Sequence, residues 1–319
     1  MKANVYIGPA GWSYPDWAGI VYPARKPRAF DPLAHLASYF NLIEINNTFY
    51  RIPRRSTCAD WVGRVDANPG LLFTVKAPRD FTHRPGTPAN REINAFTSGV
   101  EPIFDAGRLG AVLFQFPWSF RMTPEATGKI KDLVDAIAPM PAAVEVRHAT
   151  WAGDAAAVFF RNSAVPLCGI DQPVIGQSLT ADTYLPGRAG AYFRLHGRNR
   201  KHWFDRSAGR DQRYDYLYSE SELAEWRERV RSASDGVERV FVVLNNHFRG
   251  QAVANALQLD AMLSGKKSRA PAGVIAAHPK TGKLLTPAAP EPHSSGDVRL
   301  PLFEDENEKK NGDDPGGHP

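Results

Sequence analysis

Short apolar runs that end in polar residues alternate along this chain with stretches whose apolar residues recur every three or four positions. The runs fall at residues 5–8, 42–50, 71–76, 111–116, 143–147, 166–171, 191–196 and 240–244. Runs of roughly four to eight apolar residues suit strands better than helices, which need ten or more. Between them, Asp31 and Pro32 supply an N-cap and a first-turn proline for a helix with Leu33, Leu36, Ala37 and Phe40 on one face. Ser56 or Thr57 is expected to cap a second helix through Trp61, Val62 and Val65, and Ile93, Phe96, Val100, Ile103 and Phe104 mark a third. Thr123 and Pro124 open a fourth, through Ile130, Leu133, Val134 and Ile137, and an alanine-rich fifth surrounds Val158, Phe159 and Phe160. Residues 172–190 have no helical period and read as irregular. Ser219 or Ser221 caps the next helix, carrying Leu223, Trp226 and Val230, and Ala252, Ala256, Leu259 and Leu263 mark the last.

Regular alternation of strand and helix implies parallel strands joined by crossovers. Eight such units in about 250 residues is the size of one α/β domain of the (β/α)8 TIM-barrel type. An open doubly wound sheet is the alternative, but Gly8 to Gly11 offers no G-x-G-x-x-G turn into a helix. The barrel is expected to span residues 1–265. From residue 266 onward Pro, Gly, Ser and Ala dominate without periodicity, so 266–319 reads as a disordered tail.

Composition adjusts this picture in four ways. With 43% hydrophobic residues in 319, the chain can fill a large core. Its start has no apolar signal region and no later run approaches the roughly 18 apolar residues of a membrane span, so a cytoplasmic protein without a membrane partner is expected. The two cysteines, Cys58 and Cys168, read as reduced core thiols. The formal charge of +5 permits an anionic partner. Acidic and basic residues cancel in the tail, so that charge belongs to the barrel.

The polar residues that close the apolar runs are the candidate chemistry. A carboxylate inside an apolar strand, as Glu44 is, needs a partner or a task, because an unpaired buried charge costs several kcal/mol. In a barrel the carboxyl ends of the strands form the rim where catalysis is housed. Glu44, Asn46, Lys76, Gln115, Glu145, Arg147, Asp171, Arg194, His196 and Asn245 all fall there, and Trp12, Tyr14 and Tyr50 lie on adjoining loops as substrate-binding candidates. Residues two apart share a strand face, so Glu44 with Asn46, Glu145 with Arg147, and Arg194 with His196 point the same way. Glu44 and Glu145 are candidates for general acid and base, with Lys76 either stabilising an anion or, if desolvated, forming a Schiff base. An ion-paired plug closing the rim is the bland alternative. No H-x-E or H-E-x-x-H pattern is present, so no metal is expected, and no organic cofactor motif stands out.

After residue 196 the chain becomes basic and aromatic. Arg198, Arg200, Lys201 and Trp203 lead a segment that continues through Phe204, Arg206, Tyr214, Tyr216 and Tyr218. Cations that meet phosphates beside rings that stack on bases suit a single-stranded or damaged DNA partner. An ordinary lid over the rim is the other reading.

The strand-end motifs, Gly8 to Trp12, Glu44 to Tyr50, Phe73 to Lys76, Gln115 to Pro117, Glu145 to Arg147 with Trp151, Arg194 to Gly197, and Asn245 with Asn246, together resemble the YecE-like family, domain of unknown function seventy-two. The resemblance covers about residues 4–263 and implies a TIM barrel whose motif positions line a shared pocket. It implies no reaction. In the tail, Arg299 to Phe303 is similar to the short peptide by which bacterial proteins hold the sliding clamp, with Leu300, Leu302 and Phe303 as its partner-binding residues and Arg299 where a glutamine is usual. Together these readings point to an enzyme, a hydrolase or lyase acting on a nucleic-acid or nucleotide substrate in DNA maintenance. A glycoside- or sugar-phosphate-processing enzyme and a non-catalytic nucleic-acid-binding module are the alternatives.

Overall fold

In a computed structural model of the chain, which describes residues 3–203 and 210–288, the predicted alternation forms two parallel sheets. Strands β1 (Asn4–Pro9), β2 (Leu42–Ile45), β3 (Leu72–Lys76), β4 (Leu109–Gln115), β5 (Ala142–Glu145), β6 (Gly169–Asp171), β7 (Ala191–Leu195) and β8 (Arg239–Leu244) assemble in the orders β1-β8-β7-β6 and β2-β3-β4-β5. Single parallel bridges join the sheets, Ala10 to Glu44 on one side and Val144 to Leu167 on the other. Gly8 permits the first approach, since a Cβ there would lie 1.7 Å from the Leu42 carbonyl oxygen.

The helices are α1 (Pro32–Ala37), α2 (Arg55–Arg64), α3 (Arg79–His83), α4 (Asn90–Asp105), α5 (Pro124–Ala136), α6 (Asp154–Ser163), α7 (Arg210–Arg213), α8 (Glu220–Ser234), α9 (Gln251–Ser264) and α10 (Ala272–Ala277). Their starts follow from capping. The Asp31 carboxylate accepts from the Leu33 and Ala34 amides at 2.8 and 3.3 Å. Ser219 and Glu222 close a reciprocal box at α8, worth about 1 kcal/mol. The second helix departs from expectation: it begins at Arg55, one residue before Ser56, and its N-cap Arg54 makes no side-chain cap. Most of the apolar faces read from the sequence are buried, with Leu33, Leu36, Ile93, Phe96, Val100, Ile130, Leu133, Leu223, Trp226 and Val230 all nearly inaccessible, but of Val158, Phe159 and Phe160 on α6 only Phe160 is buried and Val158 is 51% exposed.

The folded unit does not stop at 265. Residues 266–288, expected in the tail, contain β9 (Ser268–Ala270) and β10 (Leu285–Pro287), paired in parallel, with α10 between them. This segment covers α9, which is why α9 is buried on nearly every side, Val253, Ala254 and Leu257 included. Ala270, Val274 and Leu285 are themselves buried. A helix apolar all round needs a cover on its second face. The peptide at Leu300, Leu302 and Phe303 lies outside the described residues, as do Phe204 and Arg206. Among the described residues no helix is long and apolar enough to cross a membrane.

Candidate functional site

At the carboxyl ends of the strands, one guanidinium organises the polar side chains. Arg194 on β7 reaches across to β2, donating through Nε and Nη2 to the two oxygens of Glu44 at 3.0 and 2.6 Å. Its Nη1 donates to Glu145 on β5 at 2.5 Å and to Gln115 on β4 at 3.3 Å. The second oxygen of Glu145 accepts from Nε and Nη2 of Arg147 at 2.9 and 2.8 Å. Strand pleating adds further members, because Tyr192 shares a face with Arg194 and Thr74 with Lys76. The Tyr192 hydroxyl donates to Glu44 at 3.0 Å and lies 2.9 Å from the Thr74 hydroxyl. Asn245 places its amide nitrogen 3.0 Å from Nδ1 of His196, whose Nε2 lies 3.4 Å from Glu145 and 3.4 and 3.5 Å from guanidinium nitrogens of Arg147 and Arg194.

Glu44, Glu145, Arg194 and His196 are essentially excluded from water. A buried arginine is tolerated here because two carboxylates and a carboxamide satisfy it. Burial alone would raise the Glu145 carboxyl, but Arg194, Arg147 and His196 outweigh it and hold it well below the usual carboxylate range. His196 is pushed down to about 3 by burial, against the attraction of Glu145, and is neutral near pH 7. Two carboxylates then balance two guanidiniums, and the odd group is Lys76. Its ammonium nitrogen sits 3.8 Å from the centre of the Phe49 ring. Burial, then repulsion from Arg194, push Lys76 down to about 7, with Glu145 and Glu44 opposing. Beside it His83 falls to about 4, through burial and the charge of Lys76.

This geometry changes the roles expected of the carboxylates. Glu145 is held ionised and pinned by two arginines, and both oxygens of Glu44 are occupied by Arg194 and Tyr192, so neither is poised to exchange a proton with a substrate. Lys76 and Gln115 are half-buried and Arg147 keeps 15% of its side chain exposed, so the open face of the cluster is amine, amide and guanidinium. Asn46, just past the end of β2, is half-buried, and its side-chain oxygen is buried without a partner among the described residues. Trp203 and Tyr214 roof the cluster: the Arg147 guanidinium lies 5.9 Å from the Trp203 ring, and the two rings lie 6.2 and 6.4 Å from His196.

Other expected members are elsewhere. Asp171 faces outward from β6, where it accepts from Arg198 at 2.9 and 3.0 Å and from the Trp226 indole at 2.8 Å. Arg198 is also engaged by Glu222 at 3.1 Å, so it ties β6 to α8 with its charge already shared between two carboxylates. Trp12 packs edge-on against Trp61 at 5.5 Å. Tyr14 donates to the Ala10 carbonyl at 2.6 Å and stacks on His247 at 4.4 Å. Tyr50 is 75% exposed, and Arg200 and Lys201 are exposed. Phe49, Thr74, His83 and Tyr192 were not singled out from the sequence; for Thr74 and Tyr192 the signal was present, two residues before Lys76 and Arg194. Among the described residues no group of three or more His, Cys, Asp or Glu side chains is placed to hold a metal ion. A groove of about 570 Å³ lies beside the cluster and meets it at His83, with Arg84, Phe120, Arg121 and Lys129 among its walls.

The family model described as "Protein of unknown function DUF72" matches residues 6–280, which contain every one of these side chains. The chain belongs to the DUF72 family. Among its relatives, the UPF0759 protein YunF of Bacillus subtilis is 27% identical over 272 residues, 81% of this chain and 94% of that one. The UPF0759 protein YecE of Escherichia coli is 25% identical over 146 residues, 45% of this chain and 48% of that one. A DUF72 crystal structure from Thermotoga maritima superposes with a TM-score of 0.70 at 34% identity, covering 82% of this chain and 99% of its own. Another, from Enterococcus faecalis, gives 0.71 at 26% identity, covering 82% and 96%. The match to residue 280 also places most of the β9 to β10 segment inside the family's domain.

Proposed function

We propose that this DUF72 protein is a (β/α)8-barrel enzyme, a lyase acting on a single-stranded or damaged nucleic acid through the amine of Lys76. Two parallel sheets bridged at Ala10–Glu44 and at Val144–Leu167 are what a closed eight-stranded barrel requires. The observation that carries the reaction is Lys76, a half-buried amine at the open face of the cluster and 3.8 Å from the centre of the Phe49 ring, brought down to about 7 by burial and so partly neutral near physiological pH. A neutral lysine adds to an aldehyde to form a Schiff base. At an abasic sugar, the amine would add to the C1′ aldehyde and water would leave. Loss of the C2′ proton to solvent would then expel the 3′ phosphate. Glu44 and Glu145 beneath the resulting iminium would stabilise its charge, and Arg147 beside Trp203 would hold phosphate near a stacked base. Pinned carboxylates favour this over a glycosidase pair, in which both groups must be free to move protons.

The test is incubation of the full chain with end-labelled single strands containing an abasic site, with borohydride added to reduce any imine. Wild type is expected to cleave the strand and to be trapped on it, whereas Lys76→Arg binds the strand and does neither, a loss of at least about 100-fold. Equal trapping by Lys76→Arg would remove Lys76 from the reaction. A wild-type protein that binds without cleaving or being trapped would make the barrel a binding module.

A further inference from the structure

Where β2 leaves the cluster, the chain runs through Asn46 and Phe49 and then outward as Tyr50, Arg51, Ile52, Pro53 and Arg54 before α2 begins. Tyr50 is 75% exposed, the most exposed large hydrophobic side chain among the described residues. Its ring meets Phe49 edge-on at 5.2 Å, and Phe49 in turn carries the Lys76 ammonium. An aromatic path therefore leads from the amine to the surface. Beside Tyr50 is a pocket of about 340 Å³ whose walls include Asn47, Arg51, Arg54, Thr57 and Trp61, with no acidic residue among them. Arg51 and Arg54 are exposed, and neither meets a carboxylate among the described residues. The next residue contrasts with them, because Arg55 is neutralised by Glu101 and by Asp105 at 3.8 Å.

The segment that presents these two cations is held in place. Gly99 on α4 lets it sit close, since a Cβ there would lie 2.3 Å from the Pro53 carbonyl oxygen. Proline fixes its own φ, and Ile52 and Pro53 are half-buried. Guanidiniums on a backbone already ordered lose less freedom on binding than those on a mobile loop. The planar fork of arginine matches phosphate oxygens, and an exposed ring beside it offers a face to a base.

We infer that Tyr50, Arg51 and Arg54 form a second contact for the nucleic-acid strand, with a phosphodiester between the two guanidiniums and the adjoining base stacked on Tyr50. This inference rests on the single-strand reading of the Lys76 site and assigns the direction in which the strand leaves it, across the β2–α2 connection.

The experiment is a fluorescence-anisotropy titration of the full chain with labelled oligothymidylate at several salt concentrations. Replacing Arg51 and Arg54 together by alanine is expected to flatten the log–log salt slope by about 1.4, two contacts at about 0.7 each for single strands. Tyr50→Ala weakens binding about tenfold, and Tyr50→Phe, which keeps the ring, restores it. These side chains are exposed, so the melting temperature of each variant stays at the wild-type value, and a lowered one assigns the residues to folding and overturns the inference. A wild-type slope in the arginine variant also overturns it, while leaving the Lys76 reaction standing on its borohydride trap. No binding by wild type overturns both. Inorganic phosphate that displaces the strand from wild type, at matched ionic strength, more readily than chloride does would make the surface a free-phosphate site instead.

Discussion

Arg194 and Arg198 lie four residues apart at the end of β7, and each is paired with carboxylates from other elements, yet their surroundings differ. Arg194 points among the strand ends and is 1% exposed, fully wrapped by Glu44, Glu145 and Gln115. Arg198 points outward, keeps 29% of its side chain exposed and joins Asp171 to Glu222 on α8. In the inner cluster the loss of water disfavours the charged forms of Lys76 and His196, and this desolvation, against the pull of Glu145, is what displaces both so far from their ordinary values. The outer cluster staples a helix to a strand and is screened by solvent. The same residue types thus build a dehydrated charge cluster on one side of β7 and a clasp on the other, and the deciding variable is access to water.

The comparison is broken most severely by Arg194→Ala. Two carboxylates are then left buried without their shared counter-ion, and a loss of about 3–5 kcal/mol is expected in urea unfolding. Uncharged replacement of Glu44, Glu145 and Arg194 together is expected to recover much of that loss, because the desolvation penalty disappears with the charges. A loss below about 1 kcal/mol for Arg194→Ala alone would show that water reaches the cluster.

Acid sharpens the contrast next. Glu145 has a folded-state value well below its unfolded one, so its contribution to stability is fully present above about 4.3 and is lost as pH falls through the folded value. The wild-type melting temperature is therefore expected to fall steeply below about pH 4.3. Glu145→Gln should start lower at neutral pH and fall less steeply in acid. Parallel curves for the two proteins would place the acid limb elsewhere.

The smallest effect is expected at the outer cluster. Arg198→Ala removes a partly solvated pair, and the Trp226 indole still donates to Asp171, so about 1 kcal/mol is the expected loss. Added salt should shrink the difference between wild type and Arg198→Ala while leaving the Arg194→Ala deficit almost unchanged. Equal salt sensitivity in the two variants would erase the distinction between the clusters.

Local chemistry made much of this legible. Periodicity placed the eight central strands and most of the helices, since a strand's two-residue alternation and a helix's capping residues act within a few positions of themselves. The buried charge of Glu44 also announced from the sequence that a partner had to exist. That the partner is Arg194, 150 residues away, was not readable, because pairing across strands depends on where the sheets bring them. The outward turn of Asp171, which removed it from the site and occupied Arg198, depended on the face of a three-residue strand whose register its neighbours set. Nor did composition alone reveal that residues 266–288 fold, because a short segment without periodicity becomes ordered only when a helix such as α9 offers it a surface to pack on. What the sequence determined by itself was therefore the set of elements and the chemical groups at their ends. Which of those groups lost water, and so which amine had its pKa lowered, was decided by the tertiary structure, since desolvation belongs to a residue's surroundings and not to the residue.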